Sequence, residues 1–335
     1  MLKCTKNETI YVVCPAEYKT GGTELLHQLV HTLNENELNA YITYFNIKAD
    51  KNPINNAFKK YVSTYKSLDS IVDNEENVIV LPEIKANLAK KFKKSRTAIW
   101  WLSVDNYLKT YNAKYAFELI GVKGVLWYIK NIQWRYRIEK INNLVKYNLV
   151  QSHYAKDFLE KNKFNNIIYL SDYIGDIYLE QQHSMDTKRN NVVLYNPKKG
   201  IEFTKKLMYN SPHLEWIPII NMTNEEVANL LKTSKVYIDF GNHPGKDRFP
   251  REAAYCGCCV ITGKSGSAKY FEDVKINDSY KYDDCDSNIP YIINTIEECF
   301  ENFEQCQKDF NQYRQMIKGE KKRFEEDVKN IFLSN

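Results

Sequence analysis

The stretch Lys235-Val-Tyr-Ile-Asp-Phe-Gly-Asn-His-Pro-Gly-Lys-Asp-Arg-Phe-Pro-Arg-Glu-Ala-Ala-Tyr-Cys-Gly-Cys-Cys-Val-Ile-Thr262 decides the fold class. It opens on Lys235–Phe240, a nearly continuous apolar run of the kind that forms a strand buried on both faces. A loop dense in Gly and Pro follows. Pro250 suits the first turn of a helix over Pro250–Cys256, because no amide is lost there. A second apolar run, Cys258–Thr262, completes a strand–helix–strand unit of a parallel sheet.

Working outward, the same alternation recurs. Ile10–Cys14, Ala40–Phe45, Asn77–Leu81, Ala98–Ser103, Leu149–Ser152 and Asn166–Leu170 read as strands, and Val192–Tyr195 and Glu215–Ile219 form a second set with the central stretch. Pro218 belongs at a sheet edge or a strand end. Thr23–Leu33, Tyr154–Lys161 and Asn224–Lys232 read as helices, and Ile292 to about Phe332 as one long polar helix. Thr223 followed by Glu226 is a capping box. Alternating order of this kind predicts an α/β protein with doubly wound parallel sheets. The polar segment between Ser171 and Asn191 reads as a linker. Two Rossmann-like domains are therefore predicted, residues 1–172 and 173–317. A terminal helix, about 318–335, is expected to pack back on the first, and ligands to bind between the carboxyl ends of the two sheets.

Composition narrows the classes. Lys and Arg number 47 against 42 Asp and Glu, and the resulting +5 is too small for a nucleic-acid footprint without local clustering. Apolar residues at 43% supply a real core and exclude a disordered chain. No run of about 18 apolar residues exists, so no transmembrane helix is expected. The start runs into Ile10–Cys14 without an apolar leader, so no signal peptide is expected and the protein is placed in the cytoplasm. Cys256–Cys259 has Cys-x-x-Cys spacing, but no second pair completes a zinc site. The eight cysteines read as reduced, core-filling residues.

Five stretches carry residues fit for chemistry. Gly21 and Gly22 precede the first helix, where amides approach an anion and Thr23 can cap; an ordinary tight turn reads equally well. Asp105, after the strand ending at Ser103, has the chemistry of a general base, or of an Asn/Asp turn that ends a strand. Lys246, Arg248 and Arg251 beside a helix amino terminus suit a diphosphate, with Asp247 among them and Glu252 placed for ribose hydroxyls. Asn196, Lys198 and Lys199 follow the strand Val192–Tyr195 and offer two more cations; a plain turn with solvated lysines reads equally well. Gly266 and Ser267, in a Gly/Ser loop after Thr262, can pass close to a ligand. Gly263-Lys-Ser265 is no P-loop, because its leading glycine is replaced by Cys258 inside a strand.

Together these pieces resemble the GT-B glycosyltransferases of the family-4 type, common in bacteria that build surface polysaccharides. The resemblance is strongest from Asn196 to Asp273. It implies that the second domain binds a nucleoside-diphosphate sugar and the first a glycan or lipid-linked acceptor. It maps Lys198, Lys199, Lys246 and Arg248 to the diphosphate or sugar, Glu252 to the ribose, and the Gly21-Gly22 turn to the donor phosphates. The family's second glutamate, eight residues before the ribose contact, is replaced by Pro244, and His243 is the candidate contact to the transferred sugar. The resemblance further implies no metal and no other cofactor. A retaining enzyme would let the leaving phosphate take the acceptor's proton, and an inverting one would use Asp105. Asp283-Asp-Cys-Asp286 is an internal rival with the Asp-x-Asp pattern of metal-dependent glycosyltransferases. Transfer of a non-sugar group, or a binding module without turnover, are the alternative functions. Two basic stretches, Lys85–Arg96 and Leu126–Arg137, read either as docking faces for an anionic membrane at its inner face or as solvated and core helices. Nucleic acid is not an expected partner.

Overall fold

A computed structural model describes residues 2–130, 138–180 and 188–334. The chain divides into two compact units, Met1–Asp172 with Lys322–Asn335, and Tyr173–Lys321.

The first unit is built on seven parallel strands: β1 (Thr9–Pro15), β2 (Asn39–Phe45), β3 (Lys66–Ser67), β4 (Val78–Pro82), β5 (Arg96–Trp101), β6 (Tyr147–Val150) and β7 (Ile167–Tyr169). Their spatial order is β3-β2-β1-β4-β5-β6-β7. Every residue of β4 and the last five of β5 are buried, which is why these strands read as continuous apolar runs. The edge strand β3 is two residues long and polar, and periodicity gave no sign of it. The helix Glu320–Phe332 buries Phe324, Val328 and Phe332 at four-residue spacing on one face. Just beyond it Leu333 bridges Cys4, whose amide donates to Phe332 O at 2.6 Å.

In the second unit β8 (Asn190–Tyr195), β9 (Glu215–Pro218), β10 (Ser234–Asp239) and β11 (Cys259–Thr262) run parallel in the order β11-β10-β8-β9. Pro218 closes β9, an edge strand, where its missing amide breaks no ladder. The chain leaves β8 to build β9 on one side, then returns to build β10 on the other. β8 and β10 thus form a topological switch point, where the departing loops separate and leave a crevice at the carboxyl ends.

Local signals located several helices well. Thr223 Oγ1 accepts from the Glu226 amide at 3.2 Å, and Glu226 Oε2 accepts from the Thr223 amide at 2.6 Å, so the capping box is present. Other expectations are corrected. The helix predicted at Pro250 starts at Arg248, with Asp247 in the N-cap position. Ala98–Ser103 ends as a strand at Trp101, because Ser103 caps a helix, Val104–Tyr111, by accepting from the Asn106 amide at 3.1 Å. The single long carboxy-terminal helix is a series: Ile289–Glu301, Phe303–Cys306, Asn311–Lys318 and Glu320–Phe332. It breaks at Asn302, whose φ of −110° and ψ of 35° are not helical, and again at Gly319. All eight cysteines are unpaired, and only Cys285 is exposed. Residues 181–187 of the predicted linker, and 131–137 of the second basic stretch, lie outside the described residues.

Candidate functional site

Three loops meet at the carboxyl ends of β8, β10 and β11. They interlock because glycine stands at the points of contact. Gly200 has φ of +61°, and a Cβ there would lie 2.1 Å from Phe240 O. Gly266 has φ of +60°, and its Cβ would lie 2.0 Å from His243 O. Any side chain at either position would drive the loops apart.

A buried charge network fills the switch point. Asp239 ends β10 with its side chain 1% exposed, His243 is fully buried, and Asp247 is partly buried. Lys199 reaches across from the loop after β8, placing Nζ 2.8 Å from Asp239 Oδ1 and in hydrogen-bond contact with Asp247 Oδ2. His243 Nδ1 lies 2.9 Å from Asp247 Oδ2, and its Nε2 lies 3.2 Å from the Asp239 carbonyl oxygen. Tyr237 OH donates to the other Asp239 oxygen at 2.9 Å. Burial works against the charge on Lys199, but Asp239 and Asp247 outweigh it and raise the ammonium's pKa. Burial likewise pushes the Asp247 carboxyl up, yet the Lys199 charge and the His243 hydrogen bond hold it well below the ordinary range. Ligand-type atoms of Asp239, His243 and Asp247 lie within 4.8 Å of one another, in a geometry fit for a cation, and the Lys199 ammonium sits among them.

A second cluster lies behind the same loop. Glu320 accepts from Lys246 Nζ at 2.7 Å and from Arg251 Nη1 at 2.8 Å, and the three side chains are 1%, 4% and 0% exposed. Arg251 also donates to the backbone oxygens of Lys246 (3.0 Å) and Asp247 (3.2 Å). It is a buried strut that shapes the loop from behind.

These placements revise the predicted roles. Lys199, Lys246 and Arg251 are committed to carboxylates, so they are not open cations awaiting a phosphate. His243 is enclosed and cannot touch a sugar without the loop opening; it organises the loop. Asn196 Oδ1 accepts from the Lys198 amide at 3.0 Å and so builds the turn. Ser267 is fully buried, with Oγ donating to Gly245 O at 2.5 Å and its amide to His243 O at 2.9 Å. With Gly266 it passes close to the His243 loop. Lys198 remains exposed, Arg248 is half-buried in the first turn of its helix, and Glu252 is 7% exposed on the same helix.

Sequence reasoning missed Asp239 and Glu320, and read Asp284 only as part of a rival Asp-x-Asp pattern. The polar Asp239 at the end of an otherwise apolar strand was the available signal; Glu320 sat inside a polar helix with none. Asp284 Oδ2 accepts from the Gly241 amide at 2.8 Å, which brings the Asp-x-Asp segment to the wall of the site, and burial raises its carboxyl. Asp286 turns away to Lys206 at 2.6 Å, so the pair does not converge on a metal.

In the first unit, Thr20 rather than Thr23 is the N-cap, and Gly21 and Gly22 form the first turn of the helix Gly21–Glu35. Asp105 is 2% exposed, and its Oδ1 accepts from Tyr115 OH at 2.7 Å and Tyr154 OH at 2.6 Å. This buried carboxylate thus bridges two tyrosine hydroxyls. Glu83, unforeseen, follows β4 and accepts from the Leu102 amide at 3.1 Å. Burial raises its carboxyl to about 7 against the pull of backbone amides. Of the first basic stretch, Lys85 is buried over the Phe45 ring and Arg96 bonds the Lys3 carbonyl and Glu8, so only Lys90, Lys91, Lys93 and Lys94 are exposed.

No protein-family model and no curated protein sequence matches the chain. Solved structures do. HepE from Anabaena, in complex with UDP and glucose, is 12% identical, with a TM-score of 0.61 over 97% of this chain and 96% of that one. Sucrose-phosphate synthase from Thermosynechococcus elongatus is 10% identical, with a TM-score of 0.58 over 97% and 95%. T4 phage BGT, in complex with its UDP-glucose substrate, is 12% identical, with a TM-score of 0.52 over 97% and 98%. At these identities the likeness establishes the fold, which is of the GT-B type.

Proposed function

We propose that this chain is a glycosyltransferase. It moves a sugar from a nucleoside-diphosphate sugar to a glycan or lipid-linked acceptor in surface-polysaccharide assembly, without a metal ion and with retention of configuration. The observation that carries the reading is the β8/β10 switch point, where three interlocked loops meet a charge network in a fold shared along nearly the whole chain with HepE, solved with UDP and glucose.

Lys198, Arg248 and the first-turn amides of the helix Arg248–Tyr255 supply the donor diphosphate's positive surroundings, and Glu252 takes the ribose. Cleaving the sugar–phosphate bond builds negative charge on the diphosphate, which cations fixed in advance stabilise more in the transition state than in the ground state. The leaving phosphate then accepts the acceptor's proton, a role the tyrosine-bound Asp105 is poorly placed to share. The Lys199 ammonium stands in for a divalent cation, since it already neutralises Asp239 and Asp247.

A thermal-shift series with UDP, GDP, CMP, dTDP and ADP, with and without EDTA, tests this reading. One nucleoside diphosphate at a hundred times its Kd should add about 2.7 kcal/mol of stability, undiminished by EDTA. Arg248→Ala should weaken that ligand roughly ten- to a hundredfold, the effect of one charge-assisted hydrogen bond. Silence with every nucleotide, or a shift abolished by EDTA, refutes the proposal.

A further inference from the structure

The helix Val122-Lys-Gly-Val-Leu-Trp-Tyr-Ile-Lys130 in the first unit presents an apolar face that none of the described residues covers. Val122, Leu126 and Ile129 are 68%, 62% and 57% exposed. At about 100° per residue they fall within roughly 60° of arc, so they form one stripe. Gly124 points the opposite way and is buried, which identifies the side packed against the unit. Phe117, on the preceding helix Ala113–Ile120, is 53% exposed as well.

The charges on this helix have one sign. Lys123 and Lys130 are exposed and lie within roughly 20° of each other along one flank. The helix carries no acid. On the preceding helix, Lys114 is exposed and faces Glu118 only at 3.9 Å. Half-buried Trp127 and Tyr128 sit between the two faces, and Lys109 Nζ lies 4.8 Å from the Trp127 ring centre. An apolar stripe with aromatic shoulders and a cationic flank is the make-up of a helix that lies in a bilayer interface. A partner protein would ask for shape; this short, open stripe offers area and positive charge.

We infer that the Val122–Lys130 helix docks this protein on an anionic lipid surface, with Val122, Leu126 and Ile129 entering the headgroup layer and Lys123 and Lys130 meeting lipid phosphates. This goes beyond the transferase reading and does not depend on it, because docking is read without nucleotide or acceptor.

Sedimentation of the full chain with phosphatidylcholine vesicles, with and without phosphatidylglycerol, tests the inference. The chain should sediment with the anionic vesicles, and salt should release it. Leu126→Ser/Ile129→Ser and Lys123→Glu/Lys130→Glu should each weaken binding by about tenfold or more. Both pairs are exposed, so the unfolding midpoints should stay at the parent value, which separates lost docking from lost fold. No binding of the parent to anionic vesicles overturns the inference, as does undiminished binding by Leu126→Ser/Ile129→Ser. Light scattering reads the remaining occupant: a parent dimer that the apolar variant dissolves, without vesicle binding, assigns the face to a second copy and overturns it equally.

Discussion

Replacing Glu320 removes one carboxylate from between two enclosed cations. Its oxygens lie 2.7 Å from Lys246 Nζ and 2.8 Å from Arg251 Nη1, with all three side chains at most 4% exposed. Breaking a buried ion pair by deleting one partner costs about 3–5 kcal/mol, because the remaining charge has lost its water without keeping its counter-charge. Arg251 retains two backbone carbonyls at 3.0 and 3.2 Å, which compensates part of the loss. Glu320→Gln keeps the shape and one acceptor, so it belongs near the lower figure, and Glu320→Ala near the upper. For a unit of this size each kcal/mol lowers Tm by about 2–4 °C, giving a drop of roughly 6–20 °C. Scanning calorimetry is the assay. With two units present, the affected transition should be the one belonging to Tyr173–Lys321. Glu320→Leu combined with Lys246→Met and Arg251→Met should recover most of the stability, since an apolar triad of similar volume avoids the desolvation cost altogether. A Glu320→Ala shift below about 1 kcal/mol would refute the reasoning, because surface pairs are worth that little.

Further expectations concern backbone contact, pH and the built-in cation. Gly200→Ala should cost clearly more than the roughly 1 kcal/mol of an unfavourable backbone conformation, because its Cβ meets Phe240 O at 2.1 Å, as urea unfolding would measure. Asp247 is held below its unfolded value, so its contribution is complete above about pH 4 and fades as pH falls further; the stability gap between the parent and Asp247→Asn should close in that acid range. Glu83 shifts the other way: with a folded value of about 7, the folded state holds the extra proton and stability declines as pH rises from about 4.5 to 7, a slope that Glu83→Gln should flatten. Lys199→Met should open the Asp239, His243 and Asp247 cluster to metal, so that Mn²⁺ raises the melting temperature of the variant, reversibly with EDTA, and leaves the parent unmoved.

What could be read along the chain was local. β10 and β11 announce themselves through short apolar runs, the helix after Thr223 through its capping box, and the β9 edge through Pro218. The helices Val104–Tyr111 and Ala113–Ile120 were missed because Ser103, which read as the end of a strand, caps the first and Asn112 the second. The loop rich in cations was legible as a cluster, but the assignment of those cations was not. Glu320 lies 74 residues from Lys246 and 69 from Arg251, in a helix whose polar face gave it no distinction. Lys199 meets Asp239 and Asp247 only because β8 and β10 are neighbours while β9 intervenes in sequence.

The sequence by itself therefore determined the element types, the parallel character of the sheets and the stretch on which the chemistry gathers. Each of these depends on residues within a few positions of one another. Tertiary structure alone decided which cations are spent on carboxylates, that His243 is enclosed, and that Asp105 is a tyrosine-bound node. The physical reason is range: periodicity and capping act over one or two turns, whereas charge pairing acts through a few ångströms of space that strand order brings together.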